Sequence, residues 1–163
     1  MNKTQKLNKT KPRKLLIASA FALLILLLID RLFNQIVVNI SDSHLGTVFW
    51  KIDKNPSYGD YVYFDLEHEL FPEKTKSLSK QLVCVAGDSL TITNDEIICN
   101  DKTYSIKRME ITSGNGKQIP QFYYDGIVPN GQAIVYGVHQ DSFDSRYWGF
   151  VEYGRLKAMQ LIY

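Results

Sequence analysis

The sequence predicts a mainly β body, a sandwich or partly closed barrel, carried on one N-terminal transmembrane helix. Three observations predict it. Beyond residue 34 the chain is a series of short β-branched and aromatic runs cut by Gly, Asp and Asn turns. In that region only Glu67 to Glu69 and Ser77 to Lys80 carry a helical signal, and both are short. The first 33 residues set a basic arm against a continuous apolar run.

The arm comes first. Lys3, Lys6, Lys9, Lys11, Arg13 and Lys14 stand among residues 1–14 without an acid. The rest of the 163-residue chain carries 13 basic residues against all 17 acidic ones. A mildly acidic body without a basic stripe argues against nucleic-acid binding. The apolar run from Leu15 to Ile29 has only Ser19 as a polar interruption. Fifteen residues reach roughly 22 Å as a helix, short of a bilayer core of roughly 30 Å. Leu32 and Phe33 extend the run, and Lys14 and Arg31 can snorkel. A cleaved secretory signal is the alternative. Its small-residue site should follow the run, yet Asp30-Arg31-Leu32-Phe33 follows Ile29, and Ala18, Ser19 and Ala20 lie inside. The division expected is therefore a cytoplasmic arm over 1–14, a signal-anchor over 15–33 and an extracytoplasmic domain over 34–163. The protein is placed as a single-pass protein of the cytoplasmic (inner) membrane, its body on the periplasmic side.

Strands are expected at Ile36 to Ile40, Thr47 to Ile52, Tyr61 to Phe64 and Gln81 to Ala86. Leu90 to Thr93 and Glu96 to Cys99 flank Asn94-Asp95 and read as a hairpin. Residues 105–127 have weak strand signals around Gly114-Asn115-Gly116 and read as a hairpin or a flap. Ala133 to Gly137 and Leu156 to Tyr163 complete the set. Cys84 and Cys99 both lie in the exported part, where a bridge is permitted, although two buried thiols fit equally well. No Cys-x-x-Cys or Cys/His spacing suggests a metal.

Three segments carry chemistry. Ser41-Asp42-Ser43 offers hydroxyls a few residues beyond the anchor, though a Ser-x-Ser in a loop is ordinarily a turn or cap. Lys80 heads the apolar strand Leu82-Val83-Cys84-Val85. An inward lysine loses hydration, its pKa falls, and the neutral amine becomes a base for a serine hydroxyl. The ordinary reading is an exposed lysine. Ser142-Phe143-Asp144-Ser145-Arg146-Tyr147-Trp148-Gly149 packs polar groups among aromatics, with Asp144 and Arg146 able to pair and Ser142 able to orient an amine. A Ser-His-Asp hydrolase using His139 and Asp141 lacks a Gly-x-Ser-x-Gly elbow, and His44 and His68 read as polar surface residues.

In this order the segments resemble the type I signal peptidases. Lys80-x-Leu82-Val83-x-Val85-x-Gly87-Asp88 is similar to their lysine box, and Ser142-x-Asp144-Ser145-Arg146-x-Trp148-Gly149 to their C-terminal box. Gly59-Asp60-x-Val62 and Val128-Pro129-x-Gly131 are similar to two weaker boxes. The resemblance covers roughly residues 36–160 and the preceding anchor. It implies a β-rich catalytic fold and a Ser/Lys dyad with no cofactor. Ser43 matches the nucleophile and Lys80 the general base. The Ser41 hydroxyl and the Ser43 N–H match the oxyanion hole. Ser142 matches the serine that orients the lysine, with Asp144 and Arg146 a structural pair behind it.

The sequence also departs from the family. Ser43-His44-Leu45-Gly46-Thr47 lacks the usual Met and Pro, Ala86 stands where Pro is common, and Gly137-Val138-His139-Gln140-Asp141 replaces a longer Gly-Asp-Asn run. With the short chain and Ser-Phe-Asp-Ser-Arg, these features look more like the TraF-type proteases of conjugative transfer systems. The implied partners are the lipid bilayer and exported precursors such as prepilin. A housekeeping signal peptidase and a non-catalytic, membrane-anchored pilus-assembly β module are the competing readings.

Overall fold

The computed structural model describes residues 11–39, 48–68, 75–108, 118–140 and 142–162. The chain divides into two compact units, 1–36 and 37–163.

The first unit contains helix α1, Lys11–Phe33. Its 23 residues span about 34 Å at ~1.5 Å per residue. Helical geometry thus begins inside the basic arm and runs past Ile29, which lifts the shortfall computed from the apolar run alone. Residues Arg13–Phe33 have a mean hydropathy of 2.4 and are long and apolar enough to cross a membrane. Apolar side chains from Leu15 to Phe33 are exposed all round, the pattern a lipid solvent requires. The one polar interruption is satisfied locally: Ser19 Oγ donates to the Leu16 carbonyl at 2.9 Å. At the C-terminal end the Asn34 N–H donates to the Asp30 carbonyl at 3.0 Å.

Among its described residues the second unit has β-strands and two short turns of helix. Its strands are β1 (Ile36–Val38, which begins at the unit boundary), β2 (Val48–Lys51), β3 (Tyr61–Glu67), β4 (Thr75–Val85), β5 (Ser89–Ile92), β6 (Glu96–Cys99), β7 (Lys102–Ser105), β8 (Tyr124–Ile127), β9 (Gln132–Tyr136), β10 (Val151–Glu152) and β11 (Lys157–Leu161). Helix α2 is Ser145–Trp148, and a 3-10 turn covers Tyr153–Arg155. Seven strands form one sheet in the order β1-β2-β11-β3-β4-β9-β10, and four form another in the order β7-β6-β5-β8. Among the described residues neither sheet closes into a barrel. The mainly β expectation holds, and the partly closed barrel is replaced by two open sheets.

Two apolar cores explain the arrangement. One joins the sheets: Val83, Cys84, Ile134 and Tyr136 of β4 and β9 pack with Leu90, Ile92, Ile97 and Cys99 of β5 and β6. The other gathers Val62, Phe64, Leu82, Val135, Val151 and Leu156, with Trp148 and Tyr153 packed against it. Alternate burial in β3 and continuous burial of Leu82, Val83 and Cys84 in β4 follow from this. A register shift between Leu82 and Cys84 lets β4 serve both cores.

Several local expectations are corrected. Ser77 to Lys80 is strand, because β4 begins at Thr75 and pairs with β3 along its length, Glu67 opposite Thr75 and Tyr61 opposite Gln81. Glu67 ends β3 rather than opening a helix, and residue 69 lies outside the described residues. Cross-strand pairing outweighs the local propensity of Lys, Ser and Glu. In the 105–127 stretch, β8 is a strand paired to β5, with Ile127 opposite Ser89. The Asn94-Asp95 hairpin forms, and the Thr93 hydroxyl accepts from the Glu96 N–H at 3.1 Å in place of a glycine-based turn.

The cysteines are bridged, Cys84 in β4 to Cys99 in β6, with Cα atoms 5.8 Å apart. Asp88 lies within ligand distance of both sulfurs, yet bonded sulfurs offer no thiolate to a metal. Asp88 instead accepts from the Val85 N–H at 2.9 Å and from the Asn100 amide at 2.9 Å. Gly87 supplies the φ of +90° that this turn needs. The Gly-Asp end of the lysine segment thus fastens β4 to the smaller sheet.

The bridge closes a 15-residue separation. Loop-closure entropy alone then gives it about 3 kcal/mol. Cys84→Ser/Cys99→Ser should lower the denaturant midpoint correspondingly, and reductant should shift the wild type but not the double variant.

Candidate active site

Lys80 stands in the middle of β4, opposite Val62 of β3. Position 80 shares the inward alternation of Leu78 and Leu82, so its side chain enters the protein and is only 3% exposed. The amine donates to Ser142 Oγ at 2.9 Å. Burial lowers the Lys80 pKa from 10.5 to about 8. Asp144 pulls it upward, while Arg146 and Lys76 push it down. A neutral amine is therefore available near neutral pH, unlike the amine of an exposed lysine.

Ser142 is held by the residues that follow it. Asp144 caps α2, its carboxylate accepting from the Arg146 N–H at 3.1 Å. The same carboxylate binds the Arg146 guanidinium through Nε at 2.8 Å and Nη2 at 2.7 Å. This bidentate pair is sealed, at 1% and 0% exposure. The carboxylate also accepts from the Gly137 N–H at 2.8 Å. Arg146 Nη2 reaches the carbonyls of Gly137, His139 and Ser142 at 3.2, 3.0 and 3.1 Å. The ion pair raises the Arg146 pKa against the opposing effect of burial. Ser145 Oγ accepts from the Val135 N–H at 3.0 Å and docks α2 onto β9. Gly149 ends α2 with φ at +79°, and a Cβ there would lie 3.0 Å from the Phe122 ring.

The structure thus brings together Lys80, Ser142, Asp144 and Arg146. Ser41 and Ser43 lie outside the described residues, as does Asp141. Asn39 is buried, and its side-chain oxygen accepts from Ser79 Oγ at 3.5 Å. His68 is half-buried against Phe143 at 5.3 Å between centroids, rather than a plain surface residue. Arg108 was missed by sequence reasoning. Its guanidinium donates to the carbonyls of Thr93, Phe122 and Arg146. Nothing in the Lys107-Arg108 pair distinguishes it from a solvated basic face.

The family described as signal peptidase, peptidase S26, matches residues 13–160, and the chain belongs to that family. Among solved structures it is similar to a signal peptidase I from Enterococcus faecalis V583, at 20% identity and a TM-score of 0.45, covering 66% of this chain and 97% of that one. No curated protein matches it.

The site makes two stability predictions. Asp144→Ala should cost about 3–5 kcal/mol in chemical unfolding, because it strands a buried guanidinium. The second concerns Lys80. Its folded pKa of about 8 lies below the ordinary 10.5, so the unfolded chain binds the extra proton between those values. Charged Lys80 therefore destabilises the fold by about 3 kcal/mol below pH ~8, and the penalty fades towards pH ~10.5. The stability of Lys80→Met relative to wild type should be highest below that window and fall across it.

Proposed function

We propose that this member of the signal peptidase family is a membrane-anchored serine endopeptidase that removes signal or leader peptides from exported precursors by a Ser43/Lys80 dyad. The observation that carries the reading is the buried Lys80 amine, deprotonating near neutral pH and aimed by the Ser142 hydroxyl. A scaffold gains nothing from a lysine sealed in this way, which counts against a non-catalytic β module.

In this mechanism neutral Lys80 takes the proton from Ser43 Oγ, which attacks the scissile carbonyl. The Ser43 N–H and the Ser41 hydroxyl hold the oxyanion. The amine then protonates the leaving group, and water or an amine resolves the acyl-enzyme. Ser142 fixes the direction of the lysine lone pair, and Asp144 with Arg146 holds Ser142. The substrate lies extended along the Ile36–Ile40 segment with small P1 and P3 residues. The terminal position of β1 in its sheet supports strand addition there.

The basic arm and α1 support a β body on the extracytoplasmic side under the positive-inside rule, where precursors emerge. The narrower task proposed is pilin maturation in conjugative transfer. The absence of Met and Pro after Ser43 and the Ser142-Phe143-Asp144-Ser145-Arg146 words support it over housekeeping processing.

Processing of a precursor by the full chain in detergent is the test. Ser43→Ala and Lys80→Ala should each abolish cleavage, and the double variant should be no worse. Ser142→Ala should retain a tenth to a hundredth of the rate, by about one lost orienting bond. The rate should rise with pH through about 8, where Lys80 loses its proton. Full activity in Ser43→Ala, or a profile without an ascending limb, defeats the dyad.

A further inference from the structure

The Arg108 side chain crosses to the C-terminal segment. Nη1 donates to the Arg146 carbonyl at 2.8 Å. Nη2 donates to the Phe122 carbonyl and to the Thr93 carbonyl, both at 2.8 Å, and Nε to the Thr93 carbonyl at 3.0 Å. Its guanidinium lies 4.4 Å from the centroid of Tyr123. The connection is reciprocal: Arg146 Nη1 donates to the carbonyl of Lys107 at 3.4 Å, and the Phe122 N–H donates to the Arg146 carbonyl at 2.8 Å. Each arginine thus binds the main chain at or beside the other. Thr93 follows β5 and Phe122 precedes β8, so the contacts run from the smaller sheet to α2.

We propose that Arg108 is a positioning residue for the Ser142–Lys80 pair, locking α2 to the smaller sheet so that the loop carrying Ser142 stays closed over the lysine amine. The inference rests on the reading of Lys80 as the base. Arg146 holds the loop from within, through the carbonyls of Gly137, His139 and Ser142. Arg108 holds the carbonyl of Arg146, while the Asp144 carboxylate holds its N–H. The bonds to three carbonyls are spread over Nε, Nη1 and Nη2, a planar fork that the single nitrogen of a lysine ammonium does not reproduce. Deleting the clamp frees the α2 turn and admits water beside Lys80. Among the described residues, Asp144, Arg146 and Lys76 are charged groups acting on that amine, and desolvation outweighs each of them. Hydration therefore moves the amine back towards its ordinary pKa.

Arg108→Ala and Arg108→Lys are compared with the full-length wild type in detergent micelles, below their unfolding temperatures. The Lys80 amine is titrated by NMR of labelled lysine, and precursor cleavage is followed over pH. Arg108→Ala should raise the Lys80 midpoint by about one pH unit, carry the ascending limb with it, and lower kcat about fivefold at pH 8 with KM within twofold. Arg108→Lys should move both in the same direction by less. It decides the matter if Arg108→Ala does not fold. A folded variant with the wild-type Lys80 midpoint and wild-type kcat overturns the proposal, as does a change confined to KM. If the wild type cleaves no precursor, the protease reading fails, and the Lys80 midpoint still decides the role of Arg108.

Discussion

The rest of the site depends on one buried ion pair. Asp144 and Arg146 are two residues apart and sealed from water. Such a pair is a poor source of stability, since desolvation consumes most of its Coulomb energy. What it provides is geometry. A carboxylate that caps a helix, ties down the Gly137 N–H and forks onto a guanidinium has little freedom left. The guanidinium passes that rigidity to the carbonyls of the loop it spans. A four-residue helix has no stability of its own, so these contacts make α2 a fixed element.

The sheet supplies the other half of the constraint. A lysine is desolvated only if its main chain cannot move to let it out. β4 is paired to β3 over residues 75–81 and to β9 over residues 81–85, and the Cys84–Cys99 bridge and Asp88 fasten its far end to the smaller sheet. Lys80 lies between the end of β9, opposite Gln81, and the N-terminal half of β4. There a side chain turns inward yet still meets a loop that departs from β9. The amine, the hydroxyl and the ion pair thus converge from two adjacent strands and the turn after one of them.

Much of this was legible in the sequence, for identifiable reasons. Lys80, Ser142, Asp144 and Arg146 stand in short contiguous words, so their association needed no long-range inference. The strands around Val62, Leu82, Leu90 and Ile134 are apolar and bounded by turn residues. The N-terminal half of β4 was not legible, because Thr75 to Lys80 is polar and alternates about a single leucine. Its strand character comes from pairing with β3. β8 was hidden for a similar reason, as Tyr124-Asp125-Gly126-Ile127 has little β propensity and exists through β5. Arg108 was hidden because its partners are carbonyls, which leave no trace in a sequence.

The fold carries a built-in conflict. Under the proposed dyad, a base useful near neutral pH requires a lysine whose charged form the protein disfavours, and that disfavour is a loss of stability wherever the lysine is protonated. The chain places its covalent cross-link and its two arginine clamps around this position, on β4 and on α2. The bridge and the buried lysine are of similar size and opposite sign by the arguments above. A domain of about 125 residues, with a core shared between two small sheets, has only a modest reserve. The cross-link on the strand that bears the lysine is therefore best understood together with that lysine. It offsets the cost locally, where a larger core elsewhere would stabilise the domain but leave β4 free to release the amine to water.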